Sequence, residues 1–202
     1  MTNKEFEFYY DFGSPNAFLV HSVIKKIENK TGFKTIYTPV LLGGIFKLTN
    51  NVAPYIAYKE VKNKLKYQSI EFNRFVKKHD IKFNDNANFP LRTVELMRAA
   101  VFFKGKQDYE KFINIIFHHT WVEPKKIDDL EILKNVLEDN NLSFAEIFNA
   151  INSEEIKNKL KENTDLAVEK GIFGTPSFLI RNQLFFGKNS ICDLEDFLLS
   201  IK

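Results

Sequence analysis

Cysteine is all but missing from this chain: Cys192 is the only one in 202 residues. One cysteine excludes an intramolecular disulfide and excludes a thiolate cluster for zinc or iron. Its neighbours Ile191, Leu194, Phe197 and Leu198 suggest a C-terminal helix, where an inert structural thiol is the expectation. Long apolar runs are missing too, and none approaches the roughly 20 residues that cross a bilayer. The opening MTNKEFEFYYDF carries acidic residues inside its apolar part and lacks the basic-then-apolar order of a secretory signal. A cytoplasmic location with no membrane partner is therefore expected. Charge of one sign is not in excess either. Twenty-nine Lys and Arg against 26 Asp and Glu leave +3, which argues for no nucleic-acid partner. Of the four histidines, His118 and His119 are adjacent. Neighbouring helical positions point in different directions and no carboxylate pattern accompanies them, so no metal site is expected.

What is present is aromatic side chain, 21 Phe among them, and one stretch that organises the rest. Phe6, Phe8, Tyr9 and Tyr10 read as a short buried strand. It runs through Asp11-Phe12-Gly13-Ser14-Pro15 into a helical pattern of Ala17, Phe18, Leu19, Val20, Val23, Ile24 and Ile27. Ser14 thus falls at a helix N-terminus, where the first backbone N–H groups lack partners and the peptide dipoles favour negative charge. Pro15 fits the first turn, where its missing N–H costs nothing. Two readings of Ser14 stay open: an ordinary cap, or a hydroxyl placed to stabilise an anion.

Thr31-Gly32 ends the helix, and Phe33 to Thr38 alternates as a second strand ending at Pro39. Strand, helix and strand at this spacing make a right-handed parallel unit. From Leu41 to about Lys170 the periodicity is helical: a short helix from Leu41 to Leu48, an amphipathic one from Lys59 to His79, then Thr93 to Phe103. Tyr109 to Trp121 follows, capped by Asp108; then Ile127 to Glu138, a capping box at Ser143 and Glu146, and Ser153 to Lys170. Strands return at Ser177 to Ile180 and Gln183 to Phe186 around a tight Arg181-Asn182 turn, before a last helix from Asp193 to Ile201. The expected architecture is α/β: a sheet domain made of residues 1–40 and 171–202, with a helical domain, residues 41–170, inserted.

That order resembles the thioredoxin fold with a helical insertion, as in DsbA-like proteins and kappa-class glutathione transferases. Where thioredoxins carry C-x-x-C, this chain has Ser14-Pro15-Asn16-Ala17, so thiol–disulfide exchange is excluded at this turn. Thr175-Pro176 stands where the fold keeps a cis-proline. More closely, the chain is similar to the 2-hydroxychromene-2-carboxylate isomerase family over nearly its whole length. Phe8 to Phe18 resembles the Asp-Phe-x-Ser-Pro turn that supplies a catalytic serine, here Ser14. Asn50-Asn51 stands for a Gly-Asn pair, keeping the ligand-facing Asn51. Tyr67, Glu71 and Arg74 match a Tyr…Asp…Arg helix pattern. Phe89-Pro90 and Arg98 match a Phe-Pro…Arg segment, with Arg92 at a position often held by asparagine. Trp121-Val122-Glu123 and Gly171 to Phe178 also fit. After the last strand Gly187-Lys188-Asn189-Ser190 replaces Gly-Gln-Asp-Arg, so Asn189 lacks the carboxylate that would hold a γ-glutamyl ammonium.

The resemblance implies glutathione as cofactor, a small aromatic-derived carboxylate as substrate, a place in aromatic catabolism, and a homodimer. Ser14 would hydrogen-bond the glutathione thiolate, which adds to an unsaturated carbon, lets the former double bond rotate, and leaves. Asn51, Thr175, Pro176, Asn189 and Ser190 would hold the cofactor, and Tyr67, Arg74 and Arg98 are weaker substrate contacts. Each has a plainer reading: a helix stop for Asn51, a turn for Thr175, a cap for Asn189 and Ser190. Arg74 and Arg98 would then make internal ion pairs, and Tyr67 would be a packed aromatic. Two other functions fit the same residues: a kappa-like transferase or peroxidase acting on another electrophile, and a non-catalytic thioredoxin-fold binding protein. A serine hydrolase fits poorly, because Asp-Phe-Gly-Ser-Pro is not a nucleophile elbow.

Overall fold

The computed structural model describes residues 4–202. Four strands form one sheet in the order β2-β1-β3-β4. β1 (Glu5–Tyr10) is central, parallel to β2 (Lys34–Pro39) and antiparallel to β3 (Ser177–Ile180), which pairs in turn with β4 (Gln183–Phe186). The sheet order is the thioredoxin-like one, with the first strand flanked by a strand from each end of the chain. Period-2 alternation sorts β1: Phe6, Phe8 and Tyr10 enter the main core, while Tyr9 enters a smaller one on the other face.

Helix α1 (Pro15–Thr31) begins at Ser14, with φ −94° and ψ 109°, and ends at Gly32, whose φ of 78° suits a residue without a Cβ. Between β2 and β3 lie α2 (Leu42–Thr49), α3 (Pro54–Ala57), α4 (Lys64–His79), α5 (Val94–Phe103), α6 (Tyr109–Trp121), α7 (Leu130–Asp139), α8 (Phe144–Asn152) and α9 (Glu154–Glu169). A 3-10 turn (Lys188–Ser190) and α10 (Ile191–Ser200) close the chain.

The main core runs unbroken from Phe8 and Phe178 on the sheet, through α1, into Met97 of α5, Phe112 and Phe117 of α6, and Ile147 of α8. The second core lies under α2 and α9, joining Tyr9, Val40, Ile45, Ala167 and Ile172.

Several local expectations are corrected. The amphipathic segment begins as a helix at Lys64, not Lys59, after Asn63 takes a left-handed φ of 67°. Asp108 precedes α6 without a side-chain cap bond, whereas Ser143 does accept the Glu146 N–H, at 3.4 Å. Ile127 lies before α7, which starts at Leu130. Cys192 lies on the exposed face of α10 and is not a buried structural thiol.

Candidate active site

The Ser14 turn is held from every side. Asp11 is buried; its Oδ1 accepts the Gly13 N–H and its Oδ2 the Leu42 N–H, both at 2.8 Å. Burial raises the Asp11 pKa, against those two bonds and one from the Thr93 side chain, which favour the carboxylate. The Phe12 N–H points at Met97 Sδ (3.4 Å), and the Phe12 carbonyl accepts the Trp121 indole N–H (2.9 Å). Gly13 leaves little room: a Cβ there would lie 3.1 Å from Thr93 Cγ2. Three helices, α2, α5 and α6, thus fix three consecutive residues ahead of Ser14.

Ser14 itself is 3 % exposed and makes two hydrogen bonds. Its Oγ accepts the Ala17 N–H at 3.2 Å and donates to the Thr175 carbonyl at 3.0 Å. The two readings are therefore not exclusive, since the side chain caps α1 while facing the residue before Pro176. The Thr175-Pro176 bond is cis, as is Phe89-Pro90, which the sequence reading left unassigned. No acidic side chain occupies the first turn of α1, and the Asp11 carboxylate ahead of it is engaged by the Gly13 and Leu42 N–H groups. Thr175 Oγ1 and Asn16 Oδ1 are buried without a hydrogen-bond partner. Such unsatisfied groups are uncommon.

Asn51 joins the same locus. Its Nδ2 donates to the Phe173 carbonyl (2.9 Å) and its Oδ1 accepts the Val52 N–H (2.8 Å), tying the end of α2 to the segment before Pro176. Asn50 caps α2 with φ 52° and ψ 30°, a left-handed conformation that asparagine tolerates where the family pattern has glycine. Gly174 is required by close approach, because a Cβ would meet Phe186 Cε2 at 2.9 Å. The half-exposed rings of Phe186 and Phe173 meet 4.4 Å apart, tilted at 44°.

The last turn is attached through the Gly187 N–H, which donates to the Pro176 carbonyl at 2.9 Å. Ser190 Oγ donates back to the Gly187 carbonyl (2.9 Å) and makes no cap bond to α10; Asn189 is exposed. The sequence reading missed what lies beside it. Lys188 is buried and pairs with Glu71 of α4, with Asn189 Oδ1 at 3.4 Å from the same ammonium. The signal was available in the Glu71 match, but nothing in the spacing of residues 71 and 188 announces a contact.

The weaker substrate candidates are not gathered here. Tyr67 is 55 % exposed on α4 and is not a packed aromatic. Arg74 is exposed on α4, and Arg98 turns its Nη1 toward the Ile151 carbonyl (3.5 Å) at the end of α8. Neither arginine makes an ion pair among the described residues. A cleft of about 960 Å³ follows another flank of α1 past Phe18, His21, Tyr37 and Tyr109, and contains none of the Ser14 locus.

A sheet ordered β2-β1-β3-β4, a cis-proline before β3 and a helix starting opposite it define a thioredoxin-type protein, and the chain belongs to the DSBA-like thioredoxin domain family, whose model matches residues 5–199. Within that class its similarity is to particular enzymes. It is 24 % identical over 199 residues to the 2-hydroxychromene-2-carboxylate isomerase of Sphingobium xenophagum, covering 97 % of this chain and 98 % of that one. It is 25 % identical over 181 residues to glutathione S-transferase kappa 1 of Rattus norvegicus, covering 85 % and 78 %. A solved 2-hydroxychromene-2-carboxylate isomerase superposes with a TM-score of 0.84 at 20 % identity, over 98 % of this chain and 95 % of that one. The resemblance read from the sequence is thereby borne out. Among the described residues no helix is long and apolar enough to cross a membrane.

Proposed function

We propose that the chain is a glutathione-dependent isomerase of the 2-hydroxychromene-2-carboxylate type, with Ser14 as its catalytic residue. The observation that carries this reading is the buried Ser14 hydroxyl, 3.0 Å from the Thr175 carbonyl at the start of α1. The site also fits the cofactor by its unmet hydrogen bonds, because Thr175 Oγ1 and Asn16 Oδ1, on the two segments that meet at Ser14, have no polar partner. Bound glutathione would supply a thiolate able to add reversibly to an unsaturated carbon and so permit rotation about the former double bond.

The chain's own part is electrostatic and positional. Rotation of the Ser14 hydroxyl away from Thr175 turns its O–H toward a sulfur in front of α1, where the helix dipole also favours negative charge. Thr175, held by the cis bond, offers backbone groups to an extended cysteinyl unit in the manner of an added strand. Asn51 fixes the facing loop, while Asn189 and Ser190 bound the far end together with the Lys188–Glu71 pair. Phe173 and Phe186, with the exposed Tyr55, four residues after Asn51, and Phe89, whose ring lies 5.9 Å from Tyr55 and 5.8 Å from Trp121, supply apolar surface of the kind a planar aromatic acid needs.

The test is a calorimetric titration with glutathione at millimolar concentration, run beside an assay of chromene-carboxylate isomerisation with and without glutathione. No binding refutes the cofactor. Binding with conjugation of a generic electrophile but no isomerisation makes the kappa-like transferase the correct reading.

A further inference from the structure

We propose that His118, His119 and Glu123 form a binding site for a first-row transition-metal dication such as zinc, at the elbow that follows α6. One ligand atom from each of the three residues lies within 4.8 Å of the other two. A point within about 2.8 Å of all three therefore exists, against metal–nitrogen and metal–oxygen bonds of about 2.0–2.2 Å. Small side-chain rotations close the difference.

The sequence argument expected these histidines to diverge. Both lie in the last turn of α6, and the residue that joins them comes from beyond its end. The rings stand 4.9 Å apart at 89°, and Glu123, past the last turn, folds back to place Oε2 3.3 Å from His118 Nε2. The backbone fixes that return: the Val122 and Glu123 N–H groups both donate to the His118 carbonyl, at 2.8 and 2.9 Å, and the Lys125 N–H donates to the His119 carbonyl at 2.9 Å. From the other side Asn84 is bonded to the Trp121 and Val122 carbonyls, each at 2.7 Å. The elbow is thus preformed, not assembled by the ion.

A second observation concerns His119 alone. Its Nδ1 is buried and has no hydrogen-bond partner, the kind of orphaned group that an ion can satisfy. Lys125 is the charge that opposes a cation here. Two imidazoles and a carboxylate suit zinc, nickel, cobalt or copper and not magnesium or calcium, which prefer oxygen alone. Three protein ligands leave a coordination position for water. The site is independent of the Ser14 reading, since none of its ligands belongs to that locus.

The test uses the full chain carrying no histidine tag, stripped with a chelator and titrated with zinc chloride by calorimetry. Nickel is then added while the fluorescence of Trp121, the only tryptophan, is followed. The expected result is one saturable site with quenching of Trp121. His118→Ala and Glu123→Gln each weaken binding by about tenfold or more, while His79→Ala and Cys192→Ser leave it unchanged. Glu123 is 68 % exposed, so its variant keeps the fold. Binding that is non-saturable, or that is unchanged in Glu123→Gln and His118→Ala, overturns the proposal, as does loss in the His79 or Cys192 variant.

Discussion

Replacing Ser14 with alanine separates the two roles its side chain plays, because the structure gives each a different size. The substitution removes the cap bond to Ala17, worth ~1 kcal/mol. It also leaves the buried Thr175 carbonyl without its donor, which costs about 1–3 kcal/mol for an unsatisfied group. Together they predict a loss of about 2–4 kcal/mol, which for a chain of this size lowers Tm by roughly 4–16 °C. If Ser14 stabilises a thiolate in the reacting complex, turnover falls about 10²–10³-fold, the usual consequence of removing one preorganised donor. The assay compares turnover of Ser14→Ala with wild type at 20 °C, where both are folded by circular dichroism. Ser143→Ala is the control, since it deletes a cap of the same kind on α8. It should lose stability without losing turnover. Wild-type activity in Ser14→Ala, or a loss matching that of Ser143→Ala, refutes the catalytic role and leaves only the cap.

Three further outcomes are expected. Burial pushes the His21 pKa down to about 4, although its ring bonds to Tyr37 (2.8 Å) and Asn114 (2.9 Å). The unfolded chain, with a histidine near ~6.5, then binds more protons between those values. Stability should therefore be complete above about pH 6.5 and decline toward pH 4 by up to ~3 kcal/mol, a slope that His21→Gln abolishes in urea titrations. Glu71→Gln strands the buried Lys188 ammonium and should destabilise by ~2–3 kcal/mol, somewhat less than a fully buried pair because Glu71 is a quarter exposed; Glu71→Leu with Lys188→Met should recover most of it. Asn189→Asp restores a carboxylate beside Pro176 and should tighten glutathione several-fold by calorimetry, and unchanged affinity removes Asn189 from the cofactor site.

The sheet was legible because its signals are local. Alternation in Phe6 to Tyr10, the Thr31-Gly32 stop, the hairpin turn at Arg181 and the punctuation at Pro176 each act over a few residues. The pairing of Ser14 with Thr175 came through the family pattern, since no spacing rule joins residues 161 apart. Geometry set by packing stayed hidden. Asp11 was quoted as part of a motif, yet its hold on Leu42 depends on where α2 docks. Lys188 was noted only within the segment that replaces Gly-Gln-Asp-Arg, and nothing local foretold that α4 brings Glu71 to it. His118 and His119 were judged by helix periodicity, which cannot foresee that Glu123 folds back on them from beyond the end of α6.

The central position of β1 has a consequence for synthesis. Its partner β2 follows within some thirty residues, but β3, which closes the other edge and brings Phe178 onto Phe8 at 5.4 Å, comes last. At ~5–20 residues per second the ribosome needs roughly 8–30 s to deliver the segment that meets Ser14. Throughout that interval a nascent chain carries an aromatic strand with one free edge, the feature most prone to pair with another chain. The helices made meanwhile, α5 and α6 above all, are the shelter for those rings. The long insertion then serves folding as well as site geometry, screening β1 until its last neighbour is made.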